Sequence, residues 1–161
     1  MFLQYFNIKK NNQKDQSLSI YQEIVDNSNY FIKKNSSEKY TNFNDVFEIF
    51  SIVIVFYLKK LNVLKTLESK NISQTIVNNF INDLDQHFRE QGIGDMSIGK
   101  YVKKHVKKFY YRIKILDKIL NENKDINFET YLQKFSILKY EDNKKISRDL
   151  NDLFNGILID K

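Results

Sequence analysis

The segment DLDQHFREQGIGD, residues 83–95, runs almost directly into KYVKKHVKKFYYRIKIL, residues 100–116, and these two strings together decide the fold. In the first, Leu84 and Phe88 continue from Val77, Phe80 and Ile81 the repeat of one helical face. Gly92 stands where a helix ends in a left-handed residue. In the second, Val102, Val106, Phe109, Ile113, Leu116 and Leu120 step by four and three, an uninterrupted apolar stripe. At about 100° per residue most of the lysines fall on the opposite side. Asp95 or Ser97 can cap this helix. Two helices joined by so short a turn make an antiparallel hairpin.

Reading outward, Asn71 with Gln74 forms a capping pair for the helix before the turn. Upstream lies VFEIFSIVIVFYL, residues 46–58, apolar nearly all round, within a helix expected from about 45 to 68. It contains Glu48 and falls short of the roughly 20 apolar residues a spanning helix needs, so it reads as a buried core helix. Lys59, Lys60 and Lys65 return it to solvent. Ser17 can cap a first helix in which Leu18, Tyr21, Ile24 and Val25 share a face. Residues 27–44 read as a polar connection and 121–127 as a loop. A fifth helix over 128–139 uses Leu132, Phe135 and Leu138. A sixth over 145–154 uses Ile146, Leu150, Leu153 and Phe154, and Gly156 ends it. Residues 1–14 read as a flexible lead-in without the marks of a cleaved targeting signal.

The chain has 161 residues, no proline, no cysteine and only four glycines. Long segments free of breakers favour an all-α fold, a single domain over 1–161 with about six helices and the hairpin at its centre. Lacking cysteine, it has no disulfides, thiol nucleophiles or thiolate metal sites. The charge is uneven. Lys100, Lys103, Lys104, Lys107, Lys108, Arg112, Lys114 and Lys118 face only Asp117 in the segment 100–118, so that segment carries +7 of a net +6. Such a field suits an anionic surface: RNA, acidic headgroups or an acidic protein patch. A solvated lysine face is the plain alternative. Tyr111 and Ile115 lie on or beside the stripe and could add apolar contacts.

The residues around the turn resemble those of the ubiquinol–cytochrome c chaperones. That family has an acidic–hydrophobic–acidic triplet, an Arg-Glu pair, a Gly-hydrophobic-Gly-Asp turn and a basic helix with Phe-Tyr-x-Arg. This chain has Asp83-Leu84-Asp85, Arg89-Glu90, Gly92-Ile93-Gly94-Asp95 and Phe109-Tyr110-Tyr111-Arg112. Residues 21–25, YQEIV, and the pairing of Phe47-Glu48 with Leu58-Lys59-Lys60-Leu61 also resemble its earlier helices. Val53 stands where the family often has a histidine, and residues 35–44 lack its Val-Pro-Asp-Thr-like turn. The resemblance implies a non-catalytic assembly factor for the cytochrome bc1 complex, without a cofactor. It would receive newly made cytochrome b near the ribosome exit and the membrane, and a small helical partner protein could assist. In a bacterium its place would be cytoplasmic, peripheral at the inner face of the cytoplasmic membrane; the mitochondrial matrix is the equivalent. No specific DNA contact is implied.

The family signature concentrates polar residues at one turn, so Asp85, Arg89, Glu90, Gly92, Gly94 and Asp95 are expected to form a client-facing edge. In it Arg89, Glu90 and Asp95 would brace the turn. Lys100, Lys103, Lys104, Lys107, Lys108, Arg112 and Lys114 are the expected anionic-surface set. The turn is not a phosphate loop, for it lacks the P-loop lysine and the GxGxxG order and follows a helix. Asp83 and His87, four apart, could be half of a metal site, but with His105 they fall short of an ordinary ligand set. Two alternatives stay open: a basic helical RNA- or ribosome-binding protein, and a small helical enzyme using Asp83, His87 and His105.

Overall fold

The alternation of apolar faces condenses into helices throughout the computed structural model, which describes residues 16–36, 42–122, 127–138 and 141–159. Among these the order is α1 (Gln16–Asn35), α2 (Phe43–Leu64), α3 (Leu67–Glu90), α4 (Asp95–Glu122), α5 (Glu129–Lys134) and α6 (Asn143–Ile159), with no strand. The lead-in, residues 1–14, lies outside the described residues. No described helix is long and apolar enough to cross a membrane.

Helix α2 is the hub. Every residue from Asp45 to Tyr57 is buried, as an all-round apolar helix demands. Helices α1, α3, α4 and α6 pack against it, and α3 and α4 also pack on each other as an antiparallel pair. Aromatic rings tie the layers: Phe47 to Phe80 at 5.9 Å, Phe80 to Phe109 at 4.8 Å, and Phe56 to Phe154 at 4.8 Å. Val53, at the family's histidine position, is fully buried.

Three polar residues inside α2 are each satisfied. Ser51 donates to the Phe47 carbonyl at 2.7 Å. Asp45 accepts the Leu138 amide at 2.9 Å, clamping the turn after α5 onto α2. Glu48 receives Arg112 of α4 in a bidentate pair, Nε and Nη2 each at 2.7 Å. The guanidinium carbon lies 3.4 Å from the Phe135 ring centroid, so the residue directly after α5 closes over the pair. Burial alone would favour losing the Arg112 proton, but Glu48 outweighs it and holds the group above its ordinary value.

Several boundaries differ from the sequence reading. Residues 27–35 are helical, not a connection: Ser28 donates to the Ile24 carbonyl, Asn27 to the Tyr57 hydroxyl, and Phe31 and Ile32 extend the buried face. Ser17 is buried within α1 and does not cap it. The helix expected to reach residue 68 breaks at Lys65, which is left-handed at φ 52°. Thr66 then caps α3 through a reciprocal pair with Ser69, so Asn71 and Gln74 lie inside α3, where Gln74 bonds Asn78. The Gly94 carbonyl takes the first bonds of α4, from Ser97 and Ile98, a position assigned in sequence to Asp95 or Ser97. Helix α5 stops at Lys134 because the chain must turn, with Ser136 and Leu138 at positive φ, to bury Ile137 and Leu138. Helix α6 passes through Gly156 to bury Ile157.

The Glu48–Arg112 pair makes a quantitative test. Glu48→Ala strands a buried cation and is expected to cost about 3–5 kcal/mol in urea denaturation. Glu48→Leu combined with Arg112→Met should lose much less, because no charge is left unpaired. A double variant as unstable as Glu48→Ala would show that packing, not charge pairing, governs this site.

Candidate functional site

The turn between α3 and α4 is built by backbone bonds that close the end of α3. Gly92 is left-handed at φ 76°; its amide donates to the Arg89 carbonyl at 3.0 Å, and the Ile93 amide to the Phe88 carbonyl at 3.1 Å. This pair of bonds is the Schellman arrangement, which requires a left-handed residue where Gly92 stands. Ile93 then packs partly against the core.

Arg89 straddles the turn. Its Nε donates to Asp85 on α3 at 2.6 Å and its Nη1 to Asp95 on α4 at 2.5 Å. Its hydrogen bonds to those two carboxylates raise the guanidinium above its ordinary value. The three side chains remain substantially exposed, so the brace is part of the surface. Glu90 does not join it. Its carboxylate accepts from Gln86 one turn back, at 2.9 Å. A Cβ added at Gly92 or Gly94 would meet nothing within 4 Å, so both glycines face open space. Beside them Met96 is fully exposed. The sequence reading passed over Met96; its signal was an apolar residue off the α4 stripe, directly after the turn. A flexible thioether there suits an adaptable contact.

Along α4 the apolar stripe is buried or packed against the core, from Val102 to Leu120. Lys100, Lys103, Lys104, Lys107 and Lys114 are exposed and Lys108 is partly so. Arg112 does not belong with them. Its place at the border of the stripe lets Glu48 draw it inward, and it is buried. Tyr101, Tyr110 and Tyr111 are exposed along the same helix. Tyr111 meets the edge of Phe135, and Ile115 packs partly into the core.

Of the three groups considered for chemistry, His87 and His105 gather around Phe43, whereas Asp83 is engaged by Tyr21 of α1. Asp83 accepts the Tyr21 hydroxyl at 2.7 Å. Burial raises its pKa to about 6, against the lowering effect of that bond. His87 stacks on Phe43 at 4.2 Å, and His105 meets Phe43 and Phe47 edge-on at 5.6 and 5.2 Å. His105 Nδ1 is 2.9 Å from the Tyr101 carbonyl, the geometry of an N–H donor. Burial lowers both histidines, which leaves them neutral near pH 7. They are packing groups. Among the described residues no three His, Asp or Glu side chains are grouped to hold a metal.

The described residues thus form a helical body with a braced turn at one end and a cationic face along α4. The chain belongs to the ubiquinol-cytochrome C chaperone family, whose model matches residues 37–154. At that level it shares the role of a chaperone in bc1 complex assembly. No curated protein and no solved structure matches the chain. The matched span runs from before α2 into α6 and contains the turn, Glu48 and Arg112, while YQEIV in α1 lies outside it.

Asp83 supplies a pH test. Its folded pKa of about 6 exceeds the ordinary 3.8, so its favourable contribution is full below 3.8 and lost as pH rises through 6. The histidines act oppositely, since their depressed values remove stability as pH falls below 6.5. Asp83→Asn isolates the first effect. The variant should gain thermal midpoint over the parent at pH 7.5, and the gain should shrink by pH 4.5. A difference independent of pH would mean that Asp83 titrates as an ordinary carboxylate.

Proposed function

We propose that this protein receives newly made cytochrome b and holds it, near the ribosome and the membrane, while the bc1 complex is assembled. The observation that carries this reading is the Arg89 brace, which fixes two glycines and Met96 as an open edge between α3 and α4. A helix hairpin holds such a turn rigidly, and exposed glycines let a partner approach the backbone closely. Family membership supplies the class of client. The lysines of α4 are read as the surface that meets acidic headgroups or ribosomal RNA, and the place of action as peripheral, at the inner membrane face. A small helical partner protein belongs to the same reading.

Deletion cells complemented with Arg89→Ala or Asp95→Ala test the edge. Both variants should accumulate as folded protein, because the brace is exposed and surface pairs add little to stability. Client affinity should fall about thirtyfold, the scale of a truncated hot-spot arginine, and cytochrome b should disappear from blots. Normal cytochrome b in both strains would remove the turn from the site while leaving the family assignment standing.

The lysine face is tested separately. Lys103→Glu with Lys107→Glu should leave the fold intact and weaken association with anionic vesicles or ribosomes, each lysine near an anionic membrane being worth about 1 kcal/mol. Sedimentation in low salt measures it. A loss confined to ribosomes, with steep salt dependence, would favour the RNA-binding reading of this helix. Unchanged binding to both would leave the lysines as a solubilising surface.

A further inference from the structure

The opposite end of the hairpin carries a second surface. From Asn62 to Glu68 seven consecutive residues are exposed at the junction of α2 and α3. Three are large and aliphatic: Val63 is 68 %, Leu64 61 % and Leu67 76 % exposed. Single exposed hydrophobic residues are ordinary, but three within five positions at a protruding tip are a patch. Lysines surround it. Lys65 stands at its centre, Lys59 and Lys60 precede it and Lys70 follows, with Glu68 the one acid in the stretch 59–70. Lys65 is the left-handed residue that ends α2, which places its cation at the tip. Beside the tip opens a groove of about 450 Å³, lined by Leu58 and Ile113, by Lys65 and Lys70, and by Lys59 paired with Asp117.

We infer that the α2–α3 tip docks on an anionic lipid bilayer, with Val63, Leu64 and Leu67 entering the headgroup region and Lys65 and Lys70 meeting lipid phosphates. The composition selects lipid over protein. Protein interfaces favour aromatic residues and arginine and are poor in lysine, whereas the exposed stretch 62–68 has three aliphatic residues and a lysine, Glu68 as its one acid, and neither an aromatic residue nor arginine. Aliphatic side chains ringed by lysine are how a peripheral protein combines apolar burial with attraction to acidic lipids. With no described helix able to span a bilayer, docking at the surface is the mode available to these helices. The inference rests on the membrane-peripheral part of the proposed function and assigns it to a particular element.

The absence of cysteine makes the test direct, because a single introduced cysteine takes an environment-sensitive dye at one place. Full-length protein labelled at Leu64→Cys, or at Met96→Cys as the far-end control, is mixed with vesicles of phosphatidylcholine alone or with about one-third phosphatidylglycerol. The Leu64 label should shift to the blue and brighten on the anionic vesicles, and the Met96 label should not. Leu64→Ser with Leu67→Ser should weaken vesicle partitioning about tenfold, and Lys65→Glu with Lys70→Glu about fivefold for each lysine. All four side chains are exposed, so thermal midpoints should match the parent. Protein that binds vesicles while its Leu64 label stays silent overturns the inference and leaves α4 as the membrane face. Failure to bind vesicles at all overturns both it and the membrane part of the proposed function. A Leu64 label that responds to purified cytochrome b but not to vesicles overturns lipid in favour of protein at this tip.

Discussion

One buried ion pair fixes how the hub helix meets the basic helix. Glu48 and Arg112 lie 64 positions apart, and their two parallel bonds at 2.7 Å join the hub helix to the basic helix. Phe135 covers the guanidinium, and Asp45, one turn before Glu48, holds the Leu138 amide. The same side of α2 thus fixes α4 and the segment after α5. An apolar pair could fill this space at equal or lower free energy, so stability alone does not explain its use. What the pair adds is register. A fork of two bonds is met at one rotation and one translation of α4, whereas a leucine interface tolerates sliding. The apolar stripe of α4 turns its lysines outward, and the pair holds Arg112, at the border of that stripe, inward.

Hydrophobic periodicity made the frame legible. The run from Val46 to Leu58 and the stripe from Val102 to Leu120 announce two helices whatever surrounds them, and Gly92 marks the turn before the second. What escaped was decided by hydrogen bonds that periodicity does not record. The second half of α1 looks polar because Asn27 and Ser28 find partners on Tyr57 and on their own backbone. The break between α2 and α3 is set by Thr66 and Ser69 amid apolar residues that suggest continuity. Helix α5 ends early because Asp45, distant in sequence, claims the Leu138 amide.

The site divides along the same line. Asp85 and Arg89 are four apart, and Asp95 stands across a short turn, so their association is local and visible in the spacing. Glu90 belonged to the same string, yet its neighbour Gln86 was nearer than the turn. Arg112 read as one more cation of a basic helix because its partner is remote. Met96 stood out only as an apolar residue off the α4 stripe, and its exposure beside open glycines gives that weak signal its meaning.

Helix α3 has a mechanical meaning beyond packing. Its 24 residues run between the aliphatic tip and the braced turn, a rise of about 36 Å at 1.5 Å per residue. It packs against α1, α2 and α4, and its length sets the separation of the two ends. With the tip seated on a bilayer and α3 upright, the braced turn would stand off the surface by roughly one hydrocarbon thickness. At that height it would meet a segment emerging from a ribosome or a loop already outside the membrane, and not the buried flank of a spanning helix. Inserting or deleting one helical turn in both α3 and α4 would alter the reach by about 5 Å without touching either end.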